Sequence, residues 1–169
     1  MKCIVIRIFL CTMLFLSCVA NAIELDAKKA IVYQLYKDFG WSALFNASDA
    51  AKYYLGKTIE EQSQDVLSKY FSPELVTLFL QEANCNAIRK GELCNLEFDP
   101  IFASQDPAAS ELTISSVEND DVTVQFIYPS NGMKVILLYK IAKFKEGWRI
   151  NDIVYPGSSA SSLKAILSR

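Results

Sequence analysis

The sequence predicts an α+β fold: three N-terminal helices packed on a curved antiparallel four-strand meander, with a short C-terminal helix. Three observations carry the prediction. Apolar residues recur at helical spacing over residues 26–39 and again between residues 60 and 91. From Leu112 onward the period drops to two, with Leu112 and Ile114 alternating with Thr113 and Ser115. Turn signals then divide the apolar runs at short intervals, as a meander requires. Helices first and strands afterwards place the helices on one face of the sheet.

Asp26 is the cap of a first helix that runs to about Phe39. Ile31, Val32, Leu35, Tyr36 and Phe39 form its apolar stripe, Lys28, Lys29 and Lys37 lie off it, and Gly40 stops it. Asn46-Ala47-Ser48-Asp49 reads as a turn, and its first three residues match a glycosylation sequon. Residues 60–70 read as a second, short helix. Ser72, Pro73 and Glu74 open a third, as N-cap, first helical residue and acid at the positive end. Its apolar row is Leu75, Phe79, Ala83 and Ala87, broadened by Val76 and Leu80, and Gly91 ends it.

Residues 95–109 form a long connection. Asp99-Pro100 and Asp106-Pro107 exclude a helix there, because the residue before proline is pushed out of the helical region. Phe98, Ile101 and Phe102 tuck the segment against the body. Val122, Val124, Phe126 and Tyr128 then share one strand face. Asn119-Asp120, Ser130-Asn131-Gly132 and Glu146-Gly147 supply the turns. Residues 133–144 make a strand about twice the usual length, residues 148–155 the last strand, and residues 162–168 the terminal helix.

Residues 1–22 have the form of a secretory leader. Lys2 and Arg7 are followed by an uncharged run at 8–19 and by Ala20-Asn21-Ala22, the small-x-small pattern of a cleavage site. The prediction is a signal peptide at 1–22, a single domain over 23–169, and a periplasmic or secreted location. Phe15-Leu16-Ser17-Cys18 loosely resembles a lipobox, so a lipoprotein anchored at Cys18 is the minor alternative. The apolar run is shorter than the roughly 20 residues a membrane span needs.

The formal net charge is −2, and loss of Lys2 and Arg7 makes the remainder more acidic. That balance argues against nucleic acid and anionic membranes, which attract basic surfaces. Of 5 cysteines only Cys85 and Cys94 lie beyond the leader. In an oxidising compartment they are expected to pair, closing a short loop worth about 2–3 kcal/mol. The chain has 0 histidines, which removes Ser-His-Asp and Cys-His catalysis and the usual nitrogen ligands of zinc. Gly40, Gly56 and Gly91 stand alone, so no phosphate loop is formed. No cofactor and no metal are expected.

The segment Phe98-Asp99-Pro100-Ile101-Phe102-Ala103-Ser104-Gln105-Asp106, followed by Gly147-Trp148-Arg149-Ile150-Asn151-Asp152-Ile153, is similar to a family of exported bacterial proteins classed as domain of unknown function 3828. The element order and the Trp-Arg-Ile ending resemble the wider nuclear transport factor 2-like superfamily of α+β cones. The resemblance spans roughly residues 30–168. It implies a cone with an open end between sheet and first helix, a periplasmic or surface location, and no established activity.

Residues at such an opening are the site candidates. In a regular strand Asp152 is in phase with Trp148, Ile150 and Val154, which points its carboxylate inward, the setting of a general base. The alternative is a bulge at Asn151-Asp152, or a carboxylate spent on capping. Asp99 and Asp106 line a cation or ligand site, or else bond the backbone of the Asp-Pro turns. Tyr36 and Trp148 belong to the core or rim; at a mouth, aromatic residues suit an apolar or sugar-like ligand.

Taken together, the residues predict a non-enzymatic exported binding or interaction protein, in one version an immunity-type protein that binds a toxin. A small-molecule carrier is the alternative, and an acid–base enzyme using Asp152 is a third reading. The partner is another protein (a toxin or an envelope component) or a small apolar ligand.

Overall fold

The computed structural model describes residues 25, 27–40, 58–89, 94–116, 121–157 and 162–169. The leader at 1–22, the Asp26 cap, the turn and sequon at 46–49, the Gly91 stop and the Asn119-Asp120 turn lie outside them. Among the described residues the chain is α+β, with four α-helices and one four-stranded antiparallel sheet. Helix α1 covers residues 27–39. A 3-10 turn at Ile59–Glu61 precedes α2 (Gln64–Leu67) and α3 (Pro73–Arg89). The strands are β1 (Ser110–Ser116), β2 (Val122–Ile127), β3 (Lys134–Phe144) and β4 (Gly147–Val154), in the spatial order β1-β2-β3-β4. Helix α4 (Leu163–Leu167) ends the chain.

The α1 stripe forms as its spacing requires: Val32, Leu35 and Tyr36 are buried, while Tyr33, Gln34, Lys37 and Asp38 face solvent. Gly40 stops the helix by close approach. Its amide donates to the Tyr36 carbonyl at 2.8 Å, and a Cβ there would sit 2.6 Å from that oxygen.

The helix expected over 60–70 is broken. Gln62 and Ser63 are extended, with ψ 153° and 158°, and separate the 3-10 turn from α2. The later part is pulled out of helical form by the sheet. Phe71 bridges Ile150 in parallel, the Ser72 amide donates to the Ile150 carbonyl at 2.9 Å, and the Ile150 amide donates to the Tyr70 carbonyl at 2.8 Å. This short added strand occupies the outer edge of β4.

Helix α3 begins as expected, with the Leu75 amide donating to Ser72 Oγ at 3.3 Å. Its buried residues are Leu75, Val76, Phe79 and Glu82, and Ala87 is exposed. The buried face therefore follows the 75–79–82 phase rather than the expected row through Ala83 and Ala87. The reason is that residues 94–96 return along the Glu82 side. Cys85 and Cys94 form the expected disulfide there, with Cα atoms 6.2 Å apart.

Val122, Val124, Phe126, Leu137, Tyr139, Ile150 and Ile153 form the inner sheet face, all essentially without exposure. Two bulges interrupt the sheet. In β1, Glu111 and Leu112 face Phe126 alone, with Glu111 at φ 54°. In β4, Asn151 is the extra residue, since Lys140 pairs Asp152 while Ile141 pairs Ile150. A bulge bends its strand and shifts the phase of the residues beyond it. Gly147 closes the β3–β4 turn at φ 116°, a conformation an L side chain resists. No helix among the described residues is long and apolar enough to cross a membrane.

Candidate functional site

Asp99 builds its own turn. Its Oδ1 accepts from the amides of Ile101 at 2.9 Å and Phe102 at 3.2 Å. The Asp99 amide donates to the Ser104 carbonyl, and the Ala103 amide donates back to the Asp99 carbonyl. The turn is then clamped by phenols on three consecutive carbonyls. Tyr155 donates to Pro100 at 3.0 Å, Tyr36 to Ile101 at 2.5 Å and Tyr128 to Phe102 at 2.5 Å. Edge-on ring contacts from Tyr36 to Phe102 and from Phe102 to Phe126 fill the space between.

Burial pushes the Asp99 carboxyl up to about 6; the Ile101 amide opposes the rise, Glu60 adds to it and the Phe102 amide opposes it. Burial also holds the phenols of Tyr36, Tyr139 and Tyr155 well above their ordinary value. They stay protonated as donors. The geometry is that of a tied-down loop, the backbone-bonding alternative for Asp99.

Asp152 does not point inward. The Asn151 bulge puts Ile150 and Ile153 on the inner face and sets Asp152 opposite Lys140, whose side chain is exposed. The regular-strand phase fails for that reason. The carboxylate accepts from the amides of Ile153 at 2.9 Å and Lys164 at 3.0 Å, so it caps α4 together with Ser162. Asp106 is exposed, and its backbone exchanges hydrogen bonds with the Ser104 hydroxyl. Trp148 lies under two cations, with Lys28 Nζ 4.4 Å and Lys143 Nζ 5.3 Å from its ring. Of the five candidates, Tyr36 and Asp99 share the clamped turn; Asp152, Asp106 and Trp148 serve separate purposes.

A groove of about 600 Å³ lies elsewhere, between α2, α3 and the β3–β4 turn, and none of those five residues lines it. Its hydrogen-bonding side chains are Gln64, Ser68, Thr77, Gln81 and Asn84. Its apolar surface comes from Pro73, Leu80 and Phe144, with the buried Phe71 and Val76 behind them. Glu146 and Arg149 close the far wall. Arg149 is anchored, with Nε donating to the Ser68 carbonyl at 2.8 Å and Nη1 to the Trp148 carbonyl at 2.7 Å. Neither bond uses Nη2. Thr77 Oγ1 donates to the Pro73 carbonyl.

The sequence held a partial signal for this groove. Thr77, Gln81 and Asn84 follow i, i+4, i+7 on α3, which alone reads as a solvated helix face. Only the β3–β4 turn, brought alongside by the Phe71–Ile150 bridge, makes it one wall of a cleft.

Sequence reasoning also misses Glu82, although it follows Leu75 and Phe79 in core phase. It is 2% exposed, and its Oε1 accepts from the amides of Asn95 and Leu96, both at 2.8 Å. Its Oε2 has no partner. Asn86 Oδ1 accepts from the Cys94 amide at 2.9 Å. Three successive amides are thus held by α3 beside the disulfide. Among the described residues, no group of three or more histidine, cysteine, aspartate or glutamate side chains is placed to hold a metal ion.

Comparison with protein-family models, with curated proteins and with solved structures returns no match to this chain.

Proposed function

We propose that this chain is an exported binding protein that works through the groove between α3 and the β3–β4 turn, on a scaffold of the nuclear transport factor 2-like cone type. The observation that carries the reading is the contrast between two regions. The buried polar groups of the Asp99 turn are spent on backbone carbonyls and amides. The groove instead presents the side chains of Gln64, Gln81, Asn84 and Glu146, which make no hydrogen bond to the rest of the protein among the described residues, around an apolar floor.

The leader at residues 1–22 directs export, and the Cys85–Cys94 disulfide suits an oxidising compartment. The likeness of residues 98–106 and 147–153 to the exported family 3828 agrees with both. Two other readings are less well supported. A carrier with its ligand against the inner sheet face competes with Phe126 and Tyr139 on that face and with Tyr36 and Phe102 packed over it, all buried. An acid–base enzyme at Asp152 needs a carboxylate that two backbone amides already engage.

Hydrogen exchange on the oxidised chain, with and without concentrated cell-envelope extract, tests the reading. Slowed exchange confined to residues 77–84 and 144–149 is expected. Protection only at other positions, or none, removes it.

A further inference from the structure

We propose that the groove takes a neutral oligosaccharide, an inference that rests on the binding reading above. The donor set is the first reason. A sugar hydroxyl both donates and accepts, and so do the amide and hydroxyl side chains of Gln64, Gln81, Asn84 and Ser68. An apolar ligand would strip water from these groups and return no hydrogen bond, which is costly.

Charge is the second reason. Among the described residues the groove holds one cation and one anion, Arg149 and Glu146. A phosphate or polyanionic ligand would meet a carboxylate and a single guanidinium, whereas such ligands call for clustered cations. For a sugar the same pair supplies one donor edge and one acceptor.

Shape is the third. The Thr77–Gln81–Asn84 stripe covers about 10 Å of helix axis, enough for more than one ring. Leu80 and Phe144, both half-buried, form a floor for the C–H face of a sugar, backed by the buried Phe71 and Val76. An extended peptide fits less well. Strand addition needs a free sheet edge, and the β4 edge beside the groove is taken by residues 70–72. Among the described residues the groove is lined by none of the tryptophan and tyrosine anchors that dominate protein–protein contacts.

The test is an NMR titration of the isotopically labelled, oxidised chain. The probes are cello-, malto- and N-acetylchito-oligosaccharides and, separately, a set of extended hexapeptides. At least one glycan series should produce saturable shifts at residues 77–84 and 144–149, with a dissociation constant of about 1 mM or tighter. The double variant Gln81→Ala/Asn84→Ala should weaken that binding by about tenfold or more. Both side chains are exposed, so the spectrum elsewhere should be unchanged. No response to any glycan, or equal binding by the double variant, overturns the inference. Peptide occupancy without glycan occupancy overturns it and leaves the binding reading standing. Occupancy by neither class overturns the inference, and the binding reading then stands or falls with the envelope-extract exchange experiment.

Discussion

The Tyr139 hydroxyl donates to the Tyr36 hydroxyl at 3.0 Å in the centre of the core, and Tyr36 gives its own proton to the Ile101 carbonyl at 2.5 Å. One chain of hydrogen bonds therefore joins β3, α1 and the Asp-Pro loop, elements far apart in sequence. Each hydroxyl is buried and each is satisfied, which is the condition for tolerating such groups in a core.

Direction in that chain predicts an order of mutational costs. Tyr36→Phe removes the middle link and leaves both the Tyr139 proton and the Ile101 carbonyl unpaired, so it should cost about 2–3 kcal/mol. Tyr139→Phe removes only a terminal donor and should cost about 1 kcal/mol. Urea unfolding of the two variants checks the order; equal losses would contradict the assigned donor direction.

Asp99 predicts a dependence on pH with a definite sign. Its folded value, about 6, lies above the ordinary 3.8, chiefly because the carboxylate is desolvated. Below the ordinary value the group is protonated in both states and no charge is buried. Between the ordinary value and about 6 the unfolded chain ionises while the folded carboxyl resists burying a charge, so stability falls across that interval, by up to about 3 kcal/mol once pH has passed about 6. Asp99→Asn keeps an acceptor for the Ile101 and Phe102 amides and abolishes that fall. Denaturation midpoints of the two proteins from pH 4 to pH 8 should converge at the acid end, separate progressively up to about pH 6 and stay a constant distance apart above it, with the variant the more stable.

Glu82 should be replaceable by glutamine but not by alanine. Glu82→Gln retains one oxygen for the Asn95 and Leu96 amides and removes a carboxylate oxygen that has no partner. Its stability should stay within about 1 kcal/mol of the parent or rise. Glu82→Ala leaves two amides without their acceptor, beside the buried Leu96, and should lose about 2–3 kcal/mol. Thermal and urea unfolding separate the two outcomes.

The same clasp limits what the disulfide contributes. Cys85→Ser/Cys94→Ser should lose about 2–3 kcal/mol, the entropy of opening a short loop. It should keep the native path of residues 94–96, because Glu82 and Asn86 still hold three successive amides. Retained slow exchange at those amides in the double variant is the check. Loss of their protection would show that the sulfur link, not the side-chain bonds, holds the strap.

Local pattern determined much of this molecule. The stripe of Val32, Leu35 and Tyr36, the Ser72-Pro73-Glu74 helix start, the meander from Ser110 to Val154 and the pairing of Cys85 with Cys94 depend on periodicity, caps, turns and residue count. Each of these is written within a few residues of where it acts. The tertiary structure decided the rest. It ended the 60–70 helix early, because residues 70–72 pair with β4 instead of adding a further helical turn. It turned Asp152 away from the core, because one added residue at Asn151 reverses the side-chain alternation, and a strand's period of two carries no record of its partner's register. It made a groove of an ordinary polar stripe on α3, because a cleft needs two walls, and the second comes from a turn some sixty residues further along the chain.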